Sequence, residues 1–240
     1  MTTQFTLKSI RKFYDSKLAL ELQELTILPG RVYILTGPNG SGKSTLLSIL
    51  AFLDKPEHGE VTFAGVRTSW SRKELDMLRR KVTLLHQAPY LFTGSVMDNV
   101  AFGLKSRGIT GKDLQRSVAD SLALVGLAGF ERRSIGQLSG GEARRVAIAR
   151  SLAPEPEILL FDEPMAHVDR ESAEVIERLI ATLPARGTTV VMSTHDPEQH
   201  KRLGGEIIQL SKGKLEQHTC RGNGADIAGF ENSKVALCPA

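Results

Sequence analysis

The sequence predicts an α/β fold: a mainly parallel sheet around a phosphate-binding loop, an antiparallel β part towards the N-terminus, and a helical subdomain inserted in the core. An apolar strand, Val32–Thr36, runs straight into the glycine-rich stretch GPNGSGKST at Gly37–Thr45. Two further apolar strands, Ile158–Phe161 and Thr188–Met192, flank a helix with apolar residues at Val175, Ile176, Leu179, Ile180 and Leu183. Between residues 88 and 152 the pattern turns helical, with glycine-rich breaks.

Taken in order, Phe5–Ile10 and Ala19–Ile27 read as strands, and Leu28-Pro29-Gly30 as a turn. Val32–Thr36 follows as a strand, and Thr45–Phe52 continues as a helix beyond the glycine loop. Glu60–Phe63 is a strand after the His58-Gly59 turn, and Val82–His86 is another, ending at Gln87. Ser95–Leu104, Lys112–Val125 and Gly141–Leu152 favour helix. Beyond Thr188–Met192, Glu206–Leu210 and Lys214–Gln217 form a hairpin through Lys212-Gly213. Residues 1–217 are expected to form a single domain, and 218–240, without a clear period, a loosely ordered tail.

A chain of 240 residues can bury a core of that size. Hydrophobic content of 41% and charged content of 24% are those of a soluble globular protein. The net charge of +4 is scattered, which speaks for a solvated surface, and no nucleic-acid partner is expected. MTTQFTLKSIRKFY lacks the apolar centre of a signal peptide, and no run of about 18 apolar residues occurs, so any membrane role would come through a partner. Cys220 and Cys238 match no metal-site spacing and read as free thiols.

The chemistry starts at Gly37-Pro38-Asn39-Gly40-Ser41-Gly42-Lys43-Ser44-Thr45. Its glycines let the backbone curl and turn N–H groups inward, where the positive end of the following helix also favours a phosphate. Lys43 adds a cation near the terminal phosphates of ATP, and the Ser44 hydroxyl can ligate Mg²⁺. Asp162 and Glu163 end the strand Ile158–Phe161, where a carboxylate overlooks the ligand crevice of an open α/β sheet. Asp162 is the candidate Mg²⁺ partner, and Glu163 is placed to polarise a water for attack on the γ-phosphate. LSGGE at Leu138–Glu142 is a second turn opening onto a helix, a potential anion site. One ATP does not readily touch both motifs within one compact domain, which suggests nucleotide held between two copies.

With Gln87 after a strand, ILLFDEP at Ile158–Pro164, Asp169 and STHD at Ser193–Asp196, the ordered set resembles the ATP-binding cassette (ABC) ATPases over residues 5–217. The resemblance implies the ABC ATPase fold and Mg²⁺-dependent ATP hydrolysis. Tyr14 looks like the aromatic that stacks on adenine, with Phe13 beside it as a competitor. Gln87 is similar to the glutamine that senses Mg²⁺ and links core to helical subdomain. Ser139, Gly140, Gly141 and Glu142 resemble the signature turn that contacts nucleotide bound to the opposite subunit. Asp169 belongs to the loop at the dimer seam, and His195 looks like the histidine that holds the γ-phosphate and attacking water. The chain departs from the common pattern at Glu142, where glutamine is frequent, at His167, where leucine is usual, and at His86, where an apolar residue is expected.

The same resemblance implies a stand-alone subunit, paired as a homodimer, peripheral on the cytoplasmic face of the cell membrane and docked under separate permease subunits. The docking surface is expected around Gln87–Asn99, where Tyr90, Leu91 and Phe92 form an apolar run; internal packing of that run is the other reading. Ala51–Asp54 and Asn99–Leu104 look like bacterial importers for oxyanions such as tungstate, molybdate or phosphate, which would work with an extracytoplasmic binding protein. The alternatives are an exporter or lipoprotein-release motor, a non-transport ABC ATPase acting on nucleic acid or ribosomes, and a P-loop kinase.

Overall fold

The computed structural model describes residues 3–196 and 198–219, so that most of the expected tail, with Cys220 and Cys238, lies outside the described residues. β1 (Phe5–Tyr14) and β2 (Lys17–Ile27) form an antiparallel hairpin. Both are longer than the sequence reading because Asp15 and Ser16 turn the chain at positive φ (47° and 65°), the geometry of a tight hairpin turn that glycine usually signals. β3 (Val32–Thr36) leads into α1 (Lys43–Leu50). That helix starts before Thr45 because Gly42, at φ 104°, breaks into it directly. β4 (His58–Phe63) and the short β5 (Val66–Arg67) add to β1, and α2 (Arg72–Leu78) precedes β6 (Val82–Leu85).

The helical part comprises α3 (Val96–Ser106), α4 (Gly111–Leu124) and α5 (Gly140–Leu152). The chain then returns to the sheet as β7 (Ile158–Phe161), α6 (Arg170–Thr182) and β8 (Thr189–Ser193). It ends with α7 (Gln199–Leu203), β9 (Glu206–Ser211) and β10 (Lys214–His218). Thr219 is held as well, since its N–H donates to the Ile207 carbonyl at 2.9 Å, so the ordered domain reaches past 217.

All ten described strands share one sheet in the order β5-β4-β1-β2-β10-β9-β3-β8-β7-β6. β6, β7, β8, β3 and β9 are mutually parallel, whereas β1, β2, β4 and β5 pair antiparallel, as the sequence predicts. The central strands are apolar throughout because both faces are covered. Val32 and Ile34 of β3, Leu159 and Phe161 of β7, and Val190 and Met192 of β8 pack with α3–α6. Tyr33, Leu35, Ile158, Leu160 and Val191 alternate with them and pack with α1 and the antiparallel strands. β3, β7 and β8 therefore deliver their carboxyl ends to one edge, where α1 begins.

Phe52, just past α1, anchors the second of these cores. It is fully buried among Phe5, Phe63 and Trp70, with ring centroids 5.5, 5.8 and 6.0 Å away. Its φ of 57° is unusual for a bulky residue, and its carbonyl accepts from Arg79 Nε (3.1 Å) and Nη2 (2.7 Å). Phe52→Ala is expected to cost about 3–5 kcal/mol, read as a fall in the urea midpoint at unchanged m-value.

Candidate functional site

At the carboxyl edge of β3, β7 and β8 lies an open cleft of ≈ 990 Å³ lined by Tyr14, Asn39–Thr45, Gln87, Asp162, Glu163 and His195. The fold thus gathers residues that are far apart in the chain, together with Met165, Ala166 and His167. Gly37 and Pro38 lie behind the wall, where their carbonyls accept from Lys43 Nζ at 2.8 and 3.1 Å. Glycine is required at position 37: at φ 137°, a Cβ would sit 2.0 Å from the Leu210 carbonyl oxygen. Lys43 is buried, which lowers its pKa, while Glu163 and Asp162 act in the opposite sense. The Ser41 hydroxyl is buried in the same loop with no protein partner among the described residues.

The two acids after β7 diverge. Asp162 Oδ2 accepts from Ser44 Oγ at 2.9 Å, and its Oδ1 accepts from Ser193 Oγ at 2.6 Å. Glu163 instead reaches across the cleft: its Oε2 accepts from Gln87 Nε2 at 2.9 Å, and its Oε1 lies 2.6 Å from His195 Nε2. Glu163 is itself at φ 49°, an unfavourable backbone for a non-glycine residue. Its N–H donates to Ser193 Oγ at 2.9 Å, so one hydroxyl serves both acids.

The hydroxyl of Ser44, the carboxylate of Asp162 and the amide oxygen of Gln87 are hard oxygen donors, the kind Mg²⁺ takes. Among the described residues no group of three or more His, Cys, Asp or Glu could hold a metal. The donor set therefore fits a cation that completes its shell with phosphate and water oxygens.

At the cleft's other end, the Tyr14 hydroxyl donates to Asp54, and Lys12 Nζ stands 5.2 Å from the Tyr14 ring centre. Burial and the Asp54 carboxylate raise the Tyr14 pKa. Lys12 is buried, which by itself lowers its pKa, but Asp54 (2.6 Å) and Glu57 (2.9 Å) outweigh that and raise it. Phe13 packs against His58, 6.4 Å between ring centres, and does not line the cleft.

Ser139, Gly140, Gly141, Glu142 and Asp169 also lie outside this cleft. Ser139 caps α5: its Oγ accepts from Glu142 N–H at 3.2 Å, and Glu142 Oε2 accepts from Ser139 N–H at 2.8 Å. Glutamate closes that box as glutamine would, and the Ser139 N–H lowers the Glu142 pKa. A Cβ on Gly141 would meet Asp169 Oδ2 at 2.1 Å and Ser172 Oγ at 2.3 Å, so this turn is seated on the start of α6. Asp169 caps that helix, accepting from Ser172 N–H at 2.8 Å. His86 lies one residue beyond β6 with its side chain exposed, which is why an apolar residue is not needed there.

Sequence reasoning assigned no part to Ser193, Lys12, Asp54 or Arg144. Ser193 stands in the STHD motif, but its contacts to both acids arise only from strand pairing. Arg144 is buried beneath Gln87 and Glu163, and an arginine inside a signature helix carries no local sign of that.

A sequence model of the ABC transporter family matches residues 20–166, more than half of the chain. The energy-coupling factor transporter ATP-binding protein EcfA of Methanothermobacter thermautotrophicus is 39% identical over 203 residues, 84% of this chain. The match spans 65% of that relative, less than two thirds of its length. The tungstate uptake system ATP-binding protein TupC of Peptoclostridium acidaminophilum is 33% identical over 213 residues, 88% of this chain and 96% of its own. Among solved structures, a dimeric post-hydrolysis state of the ATP-binding cassette MJ0796 bound to ADP and Pi superposes with a TM-score of 0.79 at 34% identity, covering 94% of this chain and 100% of that one.

Ser193→Ala removes the hydroxyl shared by Asp162 and Glu163. ATP turnover is expected to fall about 10–100-fold with a raised Mg²⁺ requirement, read from Mg²⁺ titrations of phosphate release.

Proposed function

The chain belongs to the ABC transporter family, and on that premise we propose that it is the ATP-binding and ATP-hydrolysing subunit of a transporter, working as a pair of copies. The observation that carries this reading is the arrangement of Glu163, held between Gln87 Nε2 (2.9 Å) and His195 Nε2 (2.6 Å) in the same cleft as Lys43, Ser44 and Asp162.

The glycine loop and Lys43 hold the triphosphate, and the Tyr14 ring supports the adenine. Ser44 and Asp162, with Gln87, would hold Mg²⁺, which would supply charge neutralisation at the phosphates. Glu163 orients the attacking water and takes its proton, while His195 steadies the carboxylate and faces the γ-phosphate. Ser139, Gly140, Gly141 and Glu142 complete the site of the opposite copy, and Asp169 sits at the seam. The dimeric relative supports a paired arrangement. Loss of the γ-phosphate removes the ligand both copies share, and that differential affinity is the source of work.

No described helix is long and apolar enough to cross a membrane. Membership of the transporter family supports separate permease partners, with this subunit docked on the cytoplasmic face. The apolar run divides as a docking face requires: Leu91 is half-buried against the core, while Tyr90 and Phe92 are exposed. Phe92, with the Tyr90 ring 5.9 Å away, borders a groove of ≈ 400 Å³ that includes Arg79, Arg80, Phe102 and Arg150. The near full-length likeness to TupC supports import of an oxyanion, with an extracytoplasmic binding protein supplying it. The higher identity to EcfA favours, as a second reading, a subunit of an energy-coupling factor transporter. Purifying the intact membrane complex and identifying its other subunits separates the two.

Glu163→Gln is expected to bind ATP but turn it over about 10²–10⁴-fold more slowly, leaving a dimer that light scattering detects. Ser139→Arg should abolish hydrolysis while nucleotide binding to the monomer persists. Normal turnover in either variant would overturn the role given to that residue.

A further inference from the structure

We propose that Arg144 is a positioning residue for ATP hydrolysis, one that holds the backbone beneath Gln87 and Glu163 so that their side chains meet; this rests on the hydrolytic reading above. Arg144 is 5% exposed and lies on α5, one turn beyond Ser139. Its guanidinium makes contact with carbonyl groups on both sides of the site. Nε donates to Pro164 at 2.9 Å, and Nη2 donates to Glu163 at 2.6 Å. Nη1 donates to His86 at 3.2 Å and to Gln87.

Those carbonyls belong to segments that have no common strand at that point, because β6 ends at Leu85 and β7 at Phe161. A planar fork with five N–H donors suits several carbonyls at fixed angles, which one ammonium does not. Burial opposes the charge on Arg144, and the neighbouring Asp162 and Glu163 carboxylates favour it. The left-handed backbone of Glu163 gives the contact a specific purpose. Ser193 takes the N–H of that residue and Arg144 grips its carbonyl, so both ends of a strained peptide are held. The same guanidinium holds Gln87, whose side chain then meets Glu163 Oε2. Because Arg144 sits on the helix capped by Ser139, the turn offered to a partner copy and the chain's own acid are joined through one side chain.

The test compares wild type with Arg144→Lys, which keeps the charge but not the fork, and with Arg144→Gln. At saturating Mg-ATP, Arg144→Lys is expected to lose about tenfold or more in turnover, the scale typical of supporting contacts, while the Kd for a fluorescent ATP analogue moves less than about threefold. Gln87→Ala placed in both backgrounds completes a cycle, and the combined loss should fall well short of the product of the single losses. Turnover of Arg144→Lys within about twofold of wild type overturns the proposal, as does a multiplicative cycle or a parallel loss of nucleotide binding. If circular dichroism finds both variants unfolded, Arg144 serves packing alone and the proposal fails. A wild-type chain that binds but never hydrolyses ATP sinks the functional reading, whereas an active wild type matched by an active Arg144→Lys overturns only the positioning role.

Discussion

The backbone of Glu163 is the constraint around which the reactive end of the cleft is arranged. A non-glycine residue in the left-handed region costs about 1 kcal/mol or more and persists only where its surroundings over-determine it. Here the N–H goes to Ser193, and the carbonyl accepts from Arg144 and, at 3.1 Å, from Ala166 N–H. This kink turns neighbouring carboxylates to different tasks. Asp162 faces Ser44 and the phosphate loop, and Glu163 faces Gln87 and His195. Without it, adjacent side chains beyond β7 would continue the alternation of the strand and face opposite sides of the sheet.

Charge is balanced in the same small volume. Lys43 and Arg144 are both buried cations, and the Asp162 and Glu163 carboxylates favour the charge on each. Each cation satisfies its donors on main-chain carbonyls rather than on the acids, so the carboxylate oxygens stay available to Ser44, Ser193, Gln87 and His195. A triphosphate entering the cleft therefore meets N–H donors and cations at the loop, and acids only where a divalent cation or a water is required.

How much of this was legible beforehand depended on whether the signal was local. β3, β7 and β8 were legible because burial on both faces leaves short apolar runs. The glycine loop was legible because its backbone has no alternative residue choice at Gly37. β5, α2 and α7 escaped because elements this short have no period to read. The β1–β2 turn escaped because Asp15 and Ser16 take positive φ without glycine. Motif spacing pointed to residues that the fold gathers in one cleft, but the hydroxyl of Ser193 and the guanidinium of Arg144 make contacts across chain distances that no spacing encodes. Cys220, Cys238 and residues 220–240 lie outside the described residues.

The signature turn completes the argument from a different side. Gly140 and Gly141 occupy the first positions of α5, where N–H groups have no intrahelical acceptor. Ser139 and Glu142 satisfy one another, so the cap is formed before any ligand arrives and the glycine amides remain the donors on offer. Gly141 is fixed on Asp169 and Ser172, leaving no room for a side chain to cover those amides. The N-terminus of a thirteen-residue helix with such N–H groups favours an anion. On the reading proposed above, the anion it takes is the triphosphate that a second copy holds on its own glycine loop, since this turn lies outside the chain's own cleft.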